Sequence, residues 1–130
     1  VTRDERAKIV RALAEAEDGT TGRIGVRIVP DSSVDAFERA GREFKRAGLH
    51  RHENANAALI LVAPNARRFA IVGDRALHQR VGDAFWQDVV KQTRPYFERG
   101  EVYDGIVYAI GLIGKALHAH FAEPQVEGRP

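Results

Sequence analysis

Glu17, Asn56 and Asp74 are a carboxylate, an amide and a second carboxylate, each standing where an apolar segment begins or ends. Such oxygens are the ligands that Ca²⁺ and Mg²⁺ take, with water completing the shell, so these three are candidate metal ligands. Thr20 and Thr21 add hydroxyls just after Glu17, and Arg23 adds a cation next to them. The same residues also read as ordinary structure: a helix-surface glutamate, an asparagine capping a strand and an aspartate in a Gly-Asp turn. The residue types alone leave both readings open.

Other chemistries find less support. Cysteine and methionine are absent, which removes disulfides, thiolate metal sites and a thiol nucleophile. His118 and His120 sit about 200° apart around a helix, whereas a shared metal needs i,i+4 spacing. His50 and His52 fall in a loop, where they could ligate or simply anchor the chain. No Gly-x-Ser-x-Gly, Gly-x-x-x-x-Gly-Lys or His-Glu-x-x-His occurs, so nucleophilic hydrolase, P-loop and zincin readings lack their motifs. Lys and Arg total 20 against 18 Asp and Glu, a formal charge of +2. The signs alternate, as in Phe37-Glu-Arg-Ala-Gly-Arg-Glu43, so the pattern points away from a nucleic-acid partner.

The elements that position these groups follow from periodicity. Ile9, Val10, Leu13 and Ala16 recur at helical spacing between Asp4 and Ala16, and Gly19 and Gly22 end that helix. Arg23–Val29 alternates like a strand, and Val34, Phe37, Ala40, Phe44 and Ala47 mark a helix leading to the apolar run Asn56–Ala63. Strand, helix, strand implies a parallel pair with a right-handed crossover. Pro64-Asn-Ala then turns the chain into a short strand, Arg68–Val72, stopped by Gly73-Asp74. A helical turn at Ala76–Val81, a helix over Asp83–Phe97 that Pro95 bends or ends, and a long helix from Tyr103 to Phe121 complete the chain. One domain, residues 1–122, is expected, with a disordered tail over 123–130.

This topology gathers Glu17, Thr20, Thr21, Asn56 and Asp74 at one sheet edge, where His50, His52, Glu53 and Asp104 could join them. The opposite edge collects Asp31, Ser32, Asn65 and Arg67; Asp31, Ser32 and Ser33 there suit either a bound anion or a plain helix cap. No apolar span reaches membrane length, because Asp104 and Lys115 bracket Gly105–Gly114. The start at Val1 rather than Met implies processing or excision from a longer chain, with a lost signal peptide among the ways that could arise.

Taken in order, Ala14-Glu-Ala-Glu17, Thr20-Thr-Gly22, Asn56, Val62-Ala-Pro64, Arg67-Arg-Phe-Ala-Ile71, Gly73-Asp74 and Tyr103-Asp-Gly-Ile106 resemble the TPM domain family. That family includes thylakoid-lumen proteins of photosystem II repair, a nematode receptor modulator and many bacterial proteins. The resemblance implies a three-layer α/β/α sandwich around a short mixed sheet with a β-hairpin. It also implies divalent metal binding and weak acid-phosphatase activity, both proposed for some members. Glu17, Asn56 and Asp74 match polar positions that the family tends to keep, and Arg68 matches its Arg-Arg-Phe-like segment. Two departures bear on the site: Arg23 stands where members often carry an acid, and Ala57 follows Asn56 where they carry glycine. An arginine there repels a cation or pairs with its carboxylate.

The absence of a Gly-rich region and anchor after the domain looks like the anchorless bacterial subgroup, for which a cytoplasmic location is expected. The preferred function is a non-enzymatic regulatory or interaction domain, a monomer that meets a protein partner in assembly or quality control of a membrane complex. A bound Ca²⁺ or Mg²⁺ would accompany that role, without membrane insertion. The alternative is a weak metal-assisted acid phosphatase, a phosphomonoester hydrolase in which Thr20, Thr21, Arg23, Arg68 and Asp104 are candidates to hold an anion or ligand. Arg68 and Asp74 lie at opposite ends of one strand, roughly 20 Å apart, so Arg23 is the better placed arginine.

Overall fold

The computed structural model describes residues 1–30 and 35–124. The expected anion cap at Asp31, Ser32 and Ser33, and most of the expected tail, lie outside these residues. In chain order the elements are α1 (Arg3–Glu17), β1 (Arg23–Ile28), α2 (Ala36–Arg46), β2 (Ala57–Ala63), β3 (Arg68–Gly73), α3 (Arg75–Glu98) and α4 (Val102–His120). One-turn 3-10 segments at Leu49–Arg51 and Pro64–Ala66 lead into and out of β2.

Local chemistry sets where these elements begin. At the start of α1, Thr2 Oγ1 accepts the Glu5 N–H at 3.0 Å and the Glu5 carboxylate accepts the Thr2 N–H at 2.9 Å. This reciprocal cap satisfies two donors at the helix start. Within α3, Gly82 takes φ 77° and ψ 170°, which kinks the helix between the two helical stretches expected from sequence. The helix continues past Pro95 to Glu98. Its buried Thr93 turns its hydroxyl onto the Val89 carbonyl at 2.8 Å.

The sheet order is β1-β2-β3. β1 and β2 run parallel, from Arg23 opposite Ala57 to Ile28 opposite Val62, as the strand–helix–strand pattern requires. β3 returns antiparallel, from Ala63 opposite Arg68 to Ala58 opposite Gly73. Every residue of β2 is buried, because both of its faces are covered. Ala58, Ile60 and Val62 pack with Ile9 of α1, Val89 and Phe97 of α3 and Ile106 to Leu117 of α4. Leu59, Leu61 and Ala63 face the other way, onto Ala36 and Ala40 of α2. The strand period of two thus divides one apolar run between two cores, and the result is the expected α/β/α sandwich.

Among the described residues, one charged side chain is inside this packing. Glu43 of α2 is 4% exposed, and Arg39, Arg46 and Arg27 approach its carboxylate at 3.0, 3.4 and 3.9 Å. A buried carboxylate requires such compensation. Among the described residues no helix is long and apolar enough to cross a membrane.

Candidate functional site

The end of α1 and the start of β1 build a polar cleft from a seven-residue segment that folds onto itself. Gly19 adopts φ 75°, a conformation open to glycine, and so reverses the chain after Glu17. The Glu17 carbonyl accepts the Thr20 N–H at 3.0 Å and the Thr20 hydroxyl at 2.9 Å. Thr20 Oγ1 in turn accepts the Gly22 N–H at 3.1 Å. Gly22 lies so close to the end of α4 that an added Cβ would meet Leu117 Cδ1 at 2.9 Å.

Three further segments close the site. The Thr21 N–H bonds the Phe121 carbonyl at 2.9 Å, and the Glu123 N–H bonds the Gly19 carbonyl at 2.8 Å. These flank a single bridge between Thr20 and Ala122. From the loop before β2, His52 Nε2 lies 2.6 Å from the Thr21 carbonyl. A carbonyl only accepts, so that nitrogen carries the proton. Beneath them Asn56 Nδ2 donates to Thr21 Oγ1 at 2.9 Å. The resulting cleft of about 500 Å³ is lined by Glu17, Asp18, Thr20, Thr21, Arg23, His52, Asn54 and Glu123, among others.

Glu17 is the carboxylate that ties the cleft together. Its Oε2 accepts the Ile24 N–H at 2.7 Å, and its Oε1 lies 3.9 Å from Arg23 Nη1. The Arg23 side chain is 64% exposed and that of Glu17 24% exposed. The backbone bond is therefore the tighter restraint, with the guanidinium as a loose companion.

The remaining candidates are placed differently. Asn56 is fully buried, and its Oδ1 meets no hydrogen-bond partner among the described residues. Asp74 caps α3 by accepting the Arg75 N–H at 2.7 Å, while its own N–H bonds the Ala57 carbonyl at 2.8 Å. It stands two strands away from β1, roughly 10 Å across the sheet, and does not line the cleft. Ala55, at φ 50°, directs its carbonyl to the Ala76 and Leu77 N–H groups, so this end of the sheet also holds the start of α3. Arg68 opens β3 at the far end of the sheet, opposite Ala63. Asp104 is in the first turn of α4, roughly 25 Å along that helix from Phe121, so it does not join the edge where topology alone could have put it.

Glu17, Asn56 and Asp74 therefore do not converge. No group of three or more His, Cys, Asp and Glu side chains among the described residues is arranged to hold a metal ion. Two buried polar side-chain atoms, Asn56 Oδ1 and Trp86 Nε1, meet no partner among the described residues; the former lies beneath Thr21 rather than in the cleft. Among the described residues the donor set does not form a preformed cation centre. Asp18 and Glu123 line the cleft without having stood out in the sequence. For Glu123 the signal was unreadable, because a single bridge, not a periodic strand, brings it there.

A family model for the TPM domain matches residues 1–116. No functionally curated protein matches the chain. Among solved structures, the BA42 protein from the psychrophilic bacterium Bizionia argentinensis is similar at 32% identity and TM-score 0.85, over 94% of this chain and 84% of that one. The N-terminal domain of the cg2496 protein from Corynebacterium glutamicum shares the fold at 13% identity and TM-score 0.73, over 100% of this chain and 82% of that one. The N-terminal domain of a protein from P. gingivalis does so at 13% identity and TM-score 0.79, over 96% and 83%.

Proposed function

The chain belongs to the TPM domain family, and from that premise we propose that it is a non-enzymatic interaction domain, acting in assembly or quality control of a membrane complex. Its contact site is the cleft between Glu17 and Glu123. The observation supporting this reading is that the groups able to do chemistry there already hold the fold. Glu17 receives the Ile24 N–H, His52 donates to the Thr21 carbonyl, and Asn56 donates to the Thr21 hydroxyl. These bonds tie each side chain to the local backbone or to Thr21, whereas a general base or nucleophile must be aimed at a bound substrate. What remains open to a partner is the rim: Asp18, Arg23, Asn54 and Glu123 are exposed.

A Ca²⁺ or Mg²⁺ ion enters this proposal only as an accessory drawn to the rim carboxylates and held largely through water. Capture from solubilised membranes of the source cell, with wild type beside an Asp18→Lys/Glu123→Lys variant, tests the contact site. A partner retained by wild type and lost by the variant is expected; identical capture by both overturns the assignment. Turnover of p-nitrophenyl phosphate with Ca²⁺ or Mg²⁺ is expected to be the same for wild type and Glu17→Gln. Turnover that the substitution abolishes would instead establish a phosphatase.

A further inference from the structure

β1 is an edge strand whose facing residues can be read from one backbone bond. The Val29 N–H reaches the Val62 carbonyl at 2.9 Å, and residues of a parallel strand alternate between facing their neighbour and facing away. Gly25 and Arg27 therefore face β2, whereas Ile24, Val26 and Ile28 turn their backbone groups to the open side. Two of those outward groups are met from within the chain. Glu17 Oε2 takes the Ile24 N–H at 2.7 Å, and Arg27 Nη1 covers the Val26 carbonyl at 3.0 Å. The N–H of Val26 and both backbone groups of Ile28 bond no described residue.

A groove of about 440 Å³ runs beside this edge, between α1 and β1, with Val10, Leu13, Val26 and Ile28 among its apolar walls. Val10 is 61% and Ile28 40% exposed, although both are large apolar side chains. Among the described residues, Arg6 and Arg27 are the charged side chains that line the groove, and no carboxylate does. That bias is local, since the whole chain nearly balances its charges.

We propose that this groove docks an extended acidic segment of a partner protein, added as a fourth strand alongside β1. Backbone bonds from Val26 and Ile28 hold such a strand, and its alternate side chains face the apolar wall of α1. Its carboxylates meet Arg6, and Arg27 adds its charge by turning Nη1 from the Val26 carbonyl while Nε stays beside Glu43. A second copy of this chain fits less well, because a twofold pairing of β1 edges sets basic grooves against each other. The groove is separate from the Glu17 cleft, and its occupancy does not depend on the function proposed for that cleft.

The test is an amide-shift titration of the ¹⁵N-labelled protein, in EDTA, with a short synthetic peptide of alternating valine and glutamate. Its lysine counterpart and a version with central prolines serve as comparisons. The acidic peptide is expected to shift the Val26 and Ile28 amides saturably and slow their exchange, while the other two peptides leave them unmoved. Arg6→Glu, an exposed helix substitution, weakens that binding about tenfold with the amide spectrum elsewhere unchanged. Unshifted Val26 and Ile28 at millimolar acidic peptide, equal binding of the lysine peptide, or an unaltered affinity in Arg6→Glu would each overturn the proposal. So would shifts at these amides that grow with protein concentration alone, which would mark self-pairing.

Discussion

Replacing Glu17 by alanine removes the acceptor that holds the start of β1, at Ile24, to the end of α1. Ile24 is 5% exposed, and its N–H gives a 2.7 Å bond to a carboxylate. A hydrogen bond to a charged group contributes about 1.5–3 kcal/mol. The Glu17 side chain is 24% exposed, so water reaches part of the vacated space, and the expected loss falls at the lower end, about 1.5 kcal/mol. Glutamine offers a neutral acceptor at the same place and should lose about half of that. Arg23→Ala removes only an exposed partner at 3.9 Å and should stay within about 0.5 kcal/mol of wild type. Urea unfolding followed by the fluorescence of the single tryptophan, Trp86, reads these differences. With a slope of roughly 2 kcal/mol/M, the alanine variant should lose about 0.7 M in midpoint. If Glu17→Ala unfolds with wild type, or if Arg23→Ala costs as much, then the carboxylate does not serve the fold as argued. It would then be free for a ligand.

Two glycines of α4 should respond in opposite directions to alanine. Gly111 has nothing within 4 Å of an added Cβ, so Gly111→Ala should raise stability by about 0.5–1 kcal/mol through helix propensity. At Gly114 the same Cβ would lie 2.8 Å from that of Ala16, and parting α1 from α4 should cost about 1–3 kcal/mol; urea midpoints decide both. Gly73→Ala drives a methyl into the Trp86 ring, with a cost of about 1–3 kcal/mol and a changed emission spectrum in the folded state; an unaltered spectrum would contradict the packing. Thr2→Ala should cost about 1 kcal/mol by removing the cap of α1, visible as faster amide exchange in its first turn; unchanged exchange there would show that the cap contributes nothing.

The fold was legible in the sequence wherever burial repeats with a fixed period. Ala57 to Ala63 is apolar without a break because β2 is covered on both faces, and Ile106, Ile110, Ile113 and Leu117 recur along α4 because one side of it meets the sheet. The ordered motifs from Glu17 to Ile106 pointed to the TPM domain family for the same reason: turns and core positions leave local marks. The candidate site was legible only in part. Glu17, Thr20, Thr21 and Arg23 are close in sequence and share the cleft. Asn56 lies beneath it, Asp74 across the sheet, and Arg68 and Asp104 at the far end.

By itself the sequence determined which segments become helices and strands, that β1 and β2 run parallel, and that polar groups gather where α1 meets β1. These follow from local propensity, hydrophobic period and the handedness of a crossover, all of which act along the chain. Only the tertiary structure decided what each polar group bonds to. The Glu17 carboxylate goes to the Ile24 N–H, the chain after α4 returns to Thr20 through one bridge, and Glu43 is buried among three arginines. A side chain's partner is set by which backbone and charge arrive beside it once distant segments have packed. That arrival carries no periodic signal from which it could be read in advance.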